Sequence, residues 1–81
     1  MDDAGIHQHI EELVVEEHRL LELAEESAGL DREQHVRLEA VRIELDRYWD
    51  LLRQRRAKRE FGQDPGTAQL RPADTVEHYE Q

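Results

Sequence analysis

The segment Gly29-Leu30-Asp31-Arg32-Glu33-Gln34 decides the fold, because it can end one helix and begin the next. Gly29 suits the left-handed residue that closes a helix. Asp31 can cap the following helix, and Gln34 stands where it would complete a capping box. A turn this short makes the flanking helices antiparallel neighbours, so the sequence predicts a helical hairpin.

Apolar residues recur at helical spacing on both sides of this turn. Before it, the spacing predicts a helix over about 3–28. After it, the spacing predicts a helix over about 32–61, which Gly62 closes. We expect these residues to form the core or interface: Ile10, Leu13, Leu20, Leu38, Leu45, Trp49 and Leu52.

The two predicted helices differ in charge. Residues 2–28 hold nine acids and one base, whereas residues 31–60 hold nine bases and seven acids. Counting outward from the turn places Glu17 opposite Arg42, an ion pair that we expect to fix the register. The same count brings the acidic start to the basic end of the second helix: Asp2 and Asp3 near Arg55, Arg56 and Arg59.

The chain of 81 residues is one small domain. Residues 1–62 form the predicted hairpin, and residues 63–81 form a polar tail. This tail either stays extended or holds one short helix over 74–79, with Asp74 as its cap. Val76 and Tyr79 are the residues expected to anchor it.

A second apolar face on the second helix predicts a further packing neighbour. Two helices that share one seam bury little apolar surface, which makes such a hairpin marginal alone. We therefore expect a homodimer that forms a four-helix bundle, or docking onto another protein through the Trp49 and Ile43 faces. The second face consists of Val36, Ala40, Ile43 and Leu51.

The composition disfavours several classes of protein. The net charge of −9 opposes binding to nucleic acid or to anionic lipid. The chain has no cysteine and starts without a basic and apolar signal segment. Its longest apolar run, Leu13-Val14-Val15, is far too short to cross a membrane. A cytoplasmic protein without membrane contact is expected.

The basic end of the second helix is a candidate binding surface. One interpretation is contact with phosphates, which makes a regulatory nucleic-acid-binding protein the alternative function. The structural interpretation is that cations favour a helix C-terminus and pair with the acidic start of the chain. We favour the second, since no aromatic residue lies among these five: Arg53, Arg55, Arg56, Lys58 and Arg59.

Metal binding and catalysis find less support. His18 and Glu22 share a helix face, so a metal-binding helical bundle is a weaker alternative. The sequence has no nucleophile with a positioned base, no phosphate loop and no metalloprotease motif. We predict no catalytic residue, metal site or cofactor. The leading hypothesis is a non-enzymatic module for protein interaction or self-association.

Four blocks of the sequence resemble a family of short actinobacterial proteins of unknown function. The most specific block is Trp-Asp-Leu-Leu-Arg-Gln-Arg-Arg at positions 49–56. The resemblance implies a free-standing cytoplasmic bacterial protein whose tail belongs to it, and it transfers no functional residue. The four blocks are His9–His18, Leu45–Ala57, Phe61–Pro65 and Arg71–Tyr79.

Overall fold

The computed structural model describes residues 1–74 of the chain. They form helix α1 (Asp3–Glu26), helix α2 (Arg32–Glu60) and a 3₁₀ turn (Pro65–Thr67). The two helices pack as an antiparallel hairpin, which confirms the predicted all-α fold, and the described part of the chain contains no strand. The predicted short helix at 74–79, apart from Asp74, lies outside the described residues, as do its anchors Val76 and Tyr79.

The turn between the helices uses the expected capping residues with one change. Asp31 and Gln34 form a complete capping box at the start of α2. At the end of α1, the Gly29 amide donates to the Ala24 carbonyl at 2.7 Å, the bond that closes a Schellman turn. The left-handed residue is Ala28, with φ of 57°, whereas Gly29 has φ of 130°. The left-handed position therefore falls one residue earlier than predicted.

Ala28 adopts a conformation that costs a residue with a Cβ about 1 kcal/mol. We expect the substitution Ala28→Gly to raise the free energy of unfolding by about 0.5–1 kcal/mol, despite the greater freedom of glycine in the unfolded chain. Urea unfolding at one fixed protein concentration measures this gain. Gly29→Ala is the matched control, because its φ also disfavours a side chain, and it should lower stability. A destabilising Ala28→Gly would contradict this account of the turn.

The core lies along the seam of the hairpin. Ile6 and Val41 are fully buried. They belong to one apolar cluster, against which Tyr48 and Leu52 pack while remaining partly exposed. Leu20 and Leu38 are buried nearer the turn. The cluster consists of Ile6, Ile10, Leu13, Val41, Leu45 and Leu51.

The tail folds back along α2 and does not extend into solvent. After the 3₁₀ turn, Ala68 and Leu70 pack against the core cluster. Leu51 of the second apolar face of α2 belongs to this cluster and is only 7% exposed. Part of the surface expected to need another protein is therefore buried by the chain itself.

Candidate functional site

An apolar groove runs between α1 and α2 on one side of the hairpin. It is lined by His7, Ile10, Glu11, Val14, Val15 and Trp49, and we call it the Trp49 groove. Ile10 is 3% exposed, while Val14 packs partly buried against the core. The edge of the His7 ring meets the Trp49 ring, with centroids 6.2 Å apart. The groove therefore has an apolar floor and two aromatic rings at one end.

Large apolar side chains stand exposed at this groove. Trp49 is 43% exposed and Val15 is 57% exposed. The sequence placed Trp49 within the seam opposite Ile10, but α2 turns its side chain to the rim of the seam, where it is partly exposed to solvent. Exposed aromatic surface of this size is typical of interaction sites. Trp49 is therefore a surface residue of the hairpin and not part of its core.

The rims of the Trp49 groove carry different charges. On α1, the spacing of 7, 11, 14, 18, 21 and 25 defines one helix face that contains Glu11 and Glu25. On α2, the spacing of 42, 46, 49, 53 and 56 defines a face with three arginines and one acid, Asp46, beside Trp49. The α1 rim thus carries two acids and no Lys or Arg, and the α2 rim carries three arginines and one acid.

The tail docks on the opposite edge of α2 through polar contacts. Asp50 is 3% exposed and pairs with Arg71 of the tail, whose Nε lies 3.1 Å from Oδ2. Gln54 donates to the same oxygen at 2.9 Å and to the Gln69 carbonyl at 2.8 Å. Arg47 donates to the Arg71 carbonyl at 2.9 Å. These bonds hold the tail antiparallel to α2.

This docking of the tail on α2 through Asp50, Gln54 and Arg71, which we call the tail dock, was not predicted from the sequence. Asp50 offers a signal, because it is an acid between the aromatic pair Tyr48-Trp49 and the apolar pair Leu51-Leu52. A buried carboxylate requires a charged or hydrogen-bonding partner. The sequence alone does not identify that partner, since Arg71 lies 21 positions further along the chain.

The basic end of α2 is largely engaged within the molecule. Arg55 and Arg59 both donate to Asp3, at 2.5 Å and 2.7 Å. Arg55 also donates to the Pro65 carbonyl, which joins α1, α2 and the tail. Of the remaining cations, Arg56 pairs with Glu60 on the next turn. Arg53 is not without a partner either, and the Lys58 side chain is half-buried. The expected partner Asp2 instead caps α1.

The hydrogen bond from Arg55, followed by that from Arg59, lowers the pKa of Asp3. Because the folded-state pKa lies below the unfolded one, Asp3 stabilises the fold above the unfolded pKa. This contribution is lost as pH falls through the folded pKa. We expect an NMR titration to give a midpoint for Asp3 below that of an ordinary aspartate. In the variant Arg55→Gln the midpoint should rise, and an unchanged midpoint would contradict the pairing.

Two ion pairs join the helices nearer the turn. Arg42 Nε lies 3.3 Å from Glu17 Oε2. Arg37 makes a two-pronged contact with Glu16 through Nε and Nη2, and this hydrogen bonding lowers the pKa of Glu16. The sequence had not identified the second pair. The role of Glu17 and Arg42 in fixing the register stays a prediction.

The remaining candidate chemistry has little geometric support. His18 and Glu22 lie exposed on α1. Within residues 1–74, no three His, Asp or Glu side chains converge as they would around a metal ion. The side-chain polar atoms buried in this part of the chain all have hydrogen-bond partners. Neither described helix is long and apolar enough to cross a membrane.

The fold and its surfaces define a small all-helical hairpin with a docked tail and an open apolar groove. The chain belongs to the DUF2630 family, described as protein of unknown function, which matches residues 2–81. Related proteins from Mycobacterium tuberculosis and Mycobacterium bovis, both described as uncharacterized, are 48% identical over 71 residues. The match covers 88% of this chain and 82% of each relative. No solved structure gives a significant match.

Proposed function

We propose that this protein is a non-enzymatic interaction module that self-associates through the Trp49 groove. The observation that carries the proposal is the half-exposed Trp49 beside an apolar groove. Such a surface loses contact with water when a second helical face covers it, which favours association. We propose the occupant to be a second copy of the chain, because the acidic and basic rims make the face complementary to itself.

The tail supports the same choice of surface. Ala68 and Leu70 already pack against the cluster that contains Leu51 of α2, so the chain buries that part of its apolar surface. The Trp49 groove has no such cover among residues 1–74. Val36, at 61% exposed, and the partly exposed Ile43 form a smaller remaining apolar surface on α2.

The block of residues 49–56 contributes to every part of this arrangement. It supplies Trp49 to the groove, Asp50 and Gln54 to the tail dock, and Arg55 to the pair with Asp3. We propose this block as the distinguishing functional segment of the family. Nucleic-acid binding by the basic end of α2 is disfavoured, because Arg55 and Arg59 already bind a carboxylate.

The single tryptophan of the chain gives a direct test of self-association. We expect Trp49 emission to shift to shorter wavelength, and acrylamide quenching to weaken, as the protein concentration is raised. Both changes follow because a second copy removes the exposed indole face from water. Emission and quenching that stay constant from dilute to concentrated solution would contradict the proposal.

A further inference from the structure

We infer that the second copy packs with its two-fold axis parallel to the helices, so that α1 of each copy lies on α2 of the other. This inference rests on the proposed self-association and adds its geometry. Two hairpins that meet face to face have two symmetric choices. An axis parallel to the helices places unlike helices together, whereas an axis across them places like helices together.

The charges of the helices favour the first choice. Residues 2–28 hold nine acids and one base, and residues 31–60 hold nine bases and seven acids. The axis across the helices would stack one acidic α1 on another, and like charges at close range are repulsive. The parallel axis instead sets the acidic α1 of each copy against α2 of the other, which holds more bases than acids.

The position of Trp49 determines which residue each groove receives in this arrangement. Trp49 lies beside Ile10 and His7 of its own chain, so the indole and the groove occupy one level along the hairpin. An axis parallel to the helices preserves that level in the partner. Each Trp49 then meets the His7, Val14 and Val15 surface of the other copy, and the two contacts are equivalent. The partner thus contributes the residue that fills each groove.

The distance between the two turns of the dimer distinguishes the two choices. The chain has no cysteine, so a single Ser27→Cys substitution, exposed at the end of α1, can carry one spin label per copy. With the parallel axis, the turns lie at the same end and the labels should be about 20–30 Å apart, from a helix spacing of ~10 Å plus two linkers. With the other axis centred on Ile10, the turns point apart and the labels should be about 51 Å apart, at ~1.5 Å per residue.

Pulsed electron–electron double resonance on the labelled full chain measures this distance. A separate variant labelled only at Gln63→Cys, at the other end of the hairpin, should also give a short distance between the two copies. It serves as a check on any local effect of the first substitution. Short distances at both ends support the parallel axis. A dimer with long distances overturns this inference and leaves self-association standing, whereas a monomer without any dipolar signal overturns both.

Discussion

Replacing Trp49 with serine is expected to raise the dimer dissociation constant at least 30-fold. A tryptophan at the centre of an interface is the typical hot spot, and its truncation costs about 2 kcal/mol or more, which corresponds to this factor. Sedimentation equilibrium of the wild type and of the variant measures the two constants. Circular dichroism of the variant should still show a helical hairpin, because Trp49 is 43% exposed and lies outside the core cluster.

Phe61→Ser is the matched control for this experiment. Phe61 is a 79% exposed aromatic at the end of α2, away from the Trp49 groove, and its loss should leave the dissociation constant unchanged. Val15→Glu provides a second variant on the α1 side of the groove, where the wild-type side chain is already exposed, and it should also weaken association. Equal effects of Trp49→Ser and Phe61→Ser would show that association does not use the groove.

Replacing Arg71 with alanine is expected to lower the free energy of unfolding by about 2 kcal/mol and to loosen the tail. The change leaves the Asp50 carboxylate, 3% exposed, without its cation, and a buried acceptor deprived of a partner costs about 1–3 kcal/mol. The Arg71 side chain is 42% exposed, which keeps the loss below that of a fully buried ion pair. Urea unfolding and amide hydrogen exchange measure the two effects.

The informative amide belongs to Ala68, which donates to the Pro65 carbonyl within the 3₁₀ turn. Its exchange should quicken in Arg71→Ala, because the tail opens more often. Arg19→Ala removes an exposed arginine from α1 and should change stability by less than about 0.5 kcal/mol. If Arg71→Ala behaves like Arg19→Ala, the pair with Asp50 does not hold the tail.

The hairpin was predictable because its signals are local or periodic. Asp31 and Gln34 lie three positions apart, and a capping box of this kind is visible in the sequence. The contact between Asp3 and Arg55 follows from counting along two helices joined by a short turn. Each of these inferences needs only the rise of a helix and the position of the turn.

The tail dock and the orientation of Trp49 were not predictable in the same way. The tail has no periodic pattern, so nothing in the sequence relates Arg71 to Asp50 before the path of the chain is known. Leu51 was assigned to a face for another protein, because the pattern shows that a face is apolar and not what covers it. Trp49 lies at the edge of the apolar stripe, where a small rotation of α2 decides between core and surface.

The absolute mass in solution shows whether the chain self-associates, as docking of a second copy at the Trp49 groove requires. Light scattering on a sizing column, over a series of protein concentrations, gives this mass without assumptions about the elongated shape of about 50 × 26 × 16 Å. Because a dimer dissociates on dilution, we expect the mass to rise from that of the 9.6 kDa chain to twice that value as the concentration increases. A mass of one chain at every concentration would contradict it.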